Sequence, residues 1–102
     1  MKELQVKKWK AVNLKGKEIE ENTVLLLRMV LNISAEQLPK GIEGFGYMRR
    51  YSEIFDNAEK NGKLIIEDSD YKMLKTLVEK NVPVQWGSNS VIVATLDEFL
   101  SI

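Results

Sequence analysis

Apolar positions along this chain change period several times, and each change marks a predicted element. Leu4, Val6, Val12 and Leu14 fall on even positions, the two-residue period of a strand. Lys8 and Lys10 interrupt that face, while Trp9 and Ala11 take the opposite one. The alternation therefore predicts a strand with a bulge or register change near Trp9. Lys15-Gly16-Lys17 follows as a tight turn and Glu18-Ile19-Glu20 as the returning strand, so an N-terminal hairpin is expected.

The period then becomes helical. Asn22 or Thr23 can cap a helix that runs to about Asn32, with Val24–Leu27 and Met29–Leu31 as apolar runs. Only Arg28 and Asn32 give it a polar stripe, which predicts a helix buried centrally or shared with another subunit. Residues 34–46 contain Pro39, Gly41, Gly44 and Gly46 and read as an irregular connection. A second helix is expected from about Phe45 to Asn61, with Met48, Tyr51, Ile54, Phe55 and Ala58 inward and Gly62 as its stop.

Leu64-Ile65-Ile66 is either a short strand added to the hairpin or an apolar connector. Asp68 or Ser69 caps a third helix whose inner face is Tyr71, Leu74, Leu77 and Val78, and Pro83 follows its end. Val84-Gln85-Trp86-Gly87 connects to a last helix capped by Ser88, Asn89 or Ser90. Val91 or Ile92, Thr95 or Leu96, and Phe99 point inward from it. The fold class predicted is α+β: one small, mostly helical domain over residues 1–102, with three or four helices beside a short N-terminal β-hairpin.

Composition narrows the chemistry. The 102 residues are 44% hydrophobic and 29% charged with a formal net charge of zero, which is ordinary for a globular chain and opposes disorder. A zero net charge supplies no long-range pull toward nucleic acid or an anionic membrane. A core this small leaves apolar surface that oligomerisation can cover. The absence of cysteine excludes disulfides and thiolate sites. The first nine residues lack the apolar core of a signal peptide, and no apolar run approaches the ~20 residues that span a bilayer. A cytoplasmic protein without a membrane segment is expected.

Histidine is absent too, which removes Ser-His-Asp and Cys-His catalysis and thiolate or imidazole zinc sites. No catalytic residue, cofactor or metal is assigned, and the chain is expected not to be an enzyme. Asp68, Asp70 and Glu79 match three positions of a calcium loop, but Lys72 stands at a ligand position and Met73 where the turn needs glycine. Residues 67–70 read better as acidic groups at a helix N-terminus. Gly41-Ile42-Glu43-Gly44-Phe45-Gly46 lacks the Lys-Ser/Thr of a phosphate loop.

Two surfaces could bind a partner. Lys7, Lys8, Trp9 and Lys10 could meet phosphates and stack on a base, the alternative reading, although lysines on an edge strand also block unwanted pairing. A helix-turn-helix in the last two helices is opposed by Asp97 and Glu98 on the would-be recognition helix. Tyr47 with Arg49 and Arg50 reads as a solvated helix start. The favoured surface is apolar: Leu25, Leu26, Met29 and Val30 of the first helix, with Ile33, Leu38 and Trp86 as further anchors.

The order of elements carries a resemblance. Asn13-Leu14-Lys15-Gly16-Lys17-Glu18-Ile19, the Leu-rich helix and residues 62–80, with their Asn-Gly stop and acidic cap before Asp70-Tyr71, together resemble small proteins of unknown function encoded by bacteriophages, prophages and related viruses. The resemblance implies a viral accessory or assembly protein and carries no functional residue with it. The expected function is non-enzymatic protein–protein interaction, chiefly a homo-oligomer, or contact with another viral or host protein.

Overall fold

Two separate two-stranded antiparallel sheets and four helices make up the fold in a computed structural model that describes residues 1–102. The α+β class with four helices and an N-terminal hairpin is as the sequence predicts. In chain order the elements are β1 (Lys2–Gln5), β2 (Lys8–Val12), β3 (Glu18–Asn22), α1 (Thr23–Ile33), α2 (Ile42–Asn61), β4 (Lys63–Ile66), α3 (Asp68–Asn81) and α4 (Ser90–Leu100). Single 3-10 turns occupy Ala35–Gln37 and Val84–Ser88.

The predicted first strand is divided between the two sheets. β1 pairs with β4, Lys2 opposite Ile66, and β2 pairs with β3, Lys8 opposite Asn22. The register change lies at Val6–Lys7, slightly before Trp9. Leu4 and Val6 are half-buried on even positions, whereas Trp9 and Ala11 are half-buried on odd ones. Val12 and Leu14 thus turn outward, against the expectation that they share a face with Leu4. The hand-off leaves no donor wasted: Val6 N donates to Gly62 O at 3.0 Å, and Lys7 N donates to Thr23 Oγ1 at 2.9 Å. Residues 64–66 form a strand, but it pairs with β1 and not with the hairpin.

α1 lies at the centre, touching α2, α3, α4 and β3. Asn22 caps it, its side-chain oxygen accepting from Leu25 N at 2.9 Å. Val24, Leu26, Leu27, Val30 and Leu31 enter one core cluster with Tyr51, Phe55 and Ala58 of α2, Leu64 and Ile66 of β4, and the inner faces of α3 and α4. The α3 face is Tyr71, Leu74, Leu77 and Val78, as the periodicity predicts. On α4, Ile92, Thr95, Leu96 and Phe99 are buried and Val91 is exposed. Met48 and Ile54 are half-buried at the margin.

α2 begins at Ile42, a turn earlier than expected, and runs through Gly44 and Gly46. The reason is tertiary. Gly44 is buried against Pro39, and a Cβ there would overlap the Pro39 carbonyl oxygen. Gly62 ends the helix at φ 74, the left-handed conformation that glycine adopts without strain. α3 departs from expectation at its start: Glu67 precedes it without a side-chain cap, and Asp68 lies inside the first turn. No helix is long and apolar enough to cross a membrane.

Candidate functional site

Helical geometry separates the seven apolar residues assigned to an interface. Leu26, Val30 and Leu38 are 2%, 0% and 6% exposed and belong to this chain's own core. Leu26 and Val30 face inward because the core, not a second subunit, covers that side of α1, and Leu38, after the 3-10 turn, enters the same cluster. Leu25, Met29 and Ile33 recur every fourth residue on the opposite side and are 37%, 47% and 49% exposed. They form an apolar stripe on the open side of α1, beside exposed Asn32 and half-buried Arg28.

Arg28 sets one border of this surface. Its Nη2 lies 2.6 Å from Asp56 Oδ1 and its Nε 3.0 Å from Glu59 Oε1, and its guanidinium sits 5.4 Å from the centre of the Phe55 ring. Burial alone lowers the guanidinium pKa, but the hydrogen bonds and charges of Asp56 and Glu59 outweigh it, so the pKa is raised. The polar side of α1 is thereby bound to α2, and the apolar stripe remains without a partner in the fold.

Trp86 takes part in a second feature. It is half-buried and lines an apolar groove of about 380 Å³ with Val78, Val82, Ile92, Val93, Leu96 and Leu100. The groove follows from the break between α3 and α4: Pro83 precedes the 3-10 turn, Asn89 restarts the helix by accepting from Val91 N and Ile92 N, and Trp86 spans the gap. Glu79 and Asp97 border it, and neither has a cationic partner within 4 Å.

The basic N-terminal residues do not converge on one free surface. Lys7 Nζ is 2.7 Å from Glu98 Oε1, and Lys10 Nζ is 3.6 Å from Glu18 Oε1. Lys8 and Lys10 lie on one face of the hairpin and half-buried Trp9 on the other, where its indole N–H donates to Glu21 Oε2 at 3.1 Å. The exposed aromatic expected between the lysines is thus turned away from them by strand alternation.

The acidic cluster of residues 67–70 is spent on structure. Asp68 is 2.7 Å from the Met1 amine, whose hydrogen bond and charge lower its carboxyl pKa. Asp70 is buried and held by Arg50, Nη2 at 2.8 Å and Nε at 2.9 Å from Oδ2. Asp68 and Glu79 lie on one continuous helix, so no calcium loop exists there. Arg49 pairs loosely with Glu53 at 3.9 Å, and Tyr47 is half-buried.

The groove escaped the sequence reading because its residues come from three segments whose angles periodicity does not fix. Trp86 beside Pro83 and Gly87 was its one visible sign. Comparison with known proteins finds no matching family model, no matching curated protein and no matching solved structure.

Proposed function

We propose that this protein acts through protein–protein contact and not catalysis, and that its principal partner is a second copy of itself. The observation that carries this reading is the exposed row of Leu25, Met29 and Ile33 on a helix whose opposite face is buried in the core. Full burial of such side chains is worth roughly 1.5–3 kcal/mol each, and about half of that gain remains for a partner to supply. With a net charge of zero, two copies approach without long-range repulsion. The resemblance to phage- and virus-encoded proteins supports an accessory or assembly role. The lysine-strand reading has less support, since Lys7 and Lys10 already have carboxylate partners.

Met29→Glu tests the proposal. The position is half-exposed, so the variant should keep the parent's circular dichroism and lose about 0.5 kcal/mol of stability or less. Sedimentation is best run at about 1 M salt, where charge contacts are screened beyond roughly 3 Å. The parent should dimerise as its concentration rises through the micromolar range, and the variant should remain a monomer. A parent that stays monomeric, or a variant that dimerises equally well, overturns the reading. Leu26 cannot serve here, because replacing it would test the core.

A further inference from the structure

We propose a second, independent contact: the tip of the β2–β3 hairpin of one copy seats in the α3–α4 groove of another. Residues 14–20 are all exposed, and Leu14 at the turn meets nothing in its own chain. Val12 beside it is 71% exposed. An apolar pair standing in water at the end of a hairpin gains by burial, and the groove is the apolar concavity this molecule offers.

The tip is also closed by its own hydrogen bonds. Asn13 Oδ1 accepts from Lys15 N at 2.9 Å and Lys17 N at 3.0 Å, while Asn13 N donates to Lys17 O and its carbonyl accepts from Gly16 N, both at 2.9 Å. Leu14 is therefore presented from a closed loop that loses little conformational freedom on docking.

Charge selects a second copy as the occupant. Lys15 and Lys17 follow Leu14 in the turn and have no carboxylate within 4 Å, while Glu18, opposite Val12, is paired with Lys10 at 3.6 Å; Glu79 and Asp97 border the groove with no cation within 4 Å. The neutral total hides this division. The hairpin of residues 8–22 holds four lysines against three glutamates, with Lys15 and Lys17 concentrated at its turn, and from Asn81 onward the chain contains no lysine or arginine. Two cations beside an apolar tip thus meet two anions beside an apolar groove. The two patches differ, so the contact is head-to-tail and repeats into a ring or a filament.

A charge exchange decides the matter, with Met29→Glu in every chain to remove the α1 contact and low salt to preserve electrostatics. Lys15→Glu with Lys17→Glu makes hairpin and groove both acidic, and Glu79→Lys with Asp97→Lys makes both basic. Each double variant alone should associate about tenfold more weakly than the Met29→Glu chain, and an equal mixture should recover the association. Leu14→Ser should abolish it without altering the thermal melt. Absence of association in the Met29→Glu chain overturns this contact while leaving the α1 reading intact. So does a mixture that fails to recover, or indifference to Leu14→Ser.

Discussion

Gly44 and Gly46 share the first two turns of α2, yet replacing them with alanine should move stability in opposite directions. At Gly44 the added methyl meets the Pro39 carbonyl oxygen, a backbone atom that cannot swing aside, and Gly44→Ala should cost about 1–3 kcal/mol. Gly46 has nothing within 4 Å of its would-be Cβ, so Gly46→Ala should gain up to about 1 kcal/mol from helix propensity. Urea denaturation of the two variants measures both signs. Tyr51 makes a different prediction. Burial first, then the charge of Asp70 against that of Arg50, pushes its hydroxyl from 10.0 up to about 12, and the hydroxyl donates to Asp70 O at 2.9 Å. As pH rises the unfolded tyrosine loses its proton before the folded one. Between about pH 10 and 12 the folded state holds more protons, and stability falls. The full loss is on the order of 2–3 kcal/mol. Tyr51→Phe should cost about 1 kcal/mol at neutral pH and flatten the alkaline decline in thermal melts. A smaller slope should persist from Tyr71, whose pKa is raised by burial and by Glu79.

Elements depend on contacts that secondary-structure rules do not contain. Thr23 is 2% exposed, and its hydroxyl oxygen accepts from Lys7 N where the chain leaves one sheet for the other. Thr23→Val keeps the shape and strands that amide, so denaturation should register a loss of about 1–3 kcal/mol. The helices were largely legible: Asn22 and Asn89 both cap, Gly62 stops α2, and the inner face of α3 is as its spacing predicts. Legibility failed where a distant group took over a local role. Asp68 is claimed by the Met1 amine and Ser69 lies within the first turn, so neither acts as the cap. α2 begins at Ile42 and runs through two glycines, of which Gly44 lets the helix pack directly on the Pro39 carbonyl. The lysines at positions 8 and 10 announced that the first strand changes face, but β4, which forces the change, lies fifty residues away.

For the molecule as a whole, the α1 stripe was half legible. An apolar run of eight residues with Arg28 inside it declared a central helix, but a run with so few polar positions could not say which side stayed open. Packing of three other helices against α1 decides that. The groove was less legible still, since it exists only once α3 and α4 are juxtaposed. The two proposed contacts differ in physical character: the stripe is apolar and should survive salt, whereas the hairpin contact is flanked by charges and should weaken with it. The assignment of Leu26, Val30 and Leu38 to an outer surface fails for a common reason, that hydrophobicity identifies what avoids water without identifying what covers it.

The pairing of Lys2 with Ile66 has a bearing on how the chain is made. β1 waits for a mate that is made some sixty positions later, and closing so long a span slows the search for the native arrangement. The β2–β3 hairpin pairs sequence neighbours, whereas β1 depends on a strand distant in the chain. Its release would be an early event when the protein comes apart.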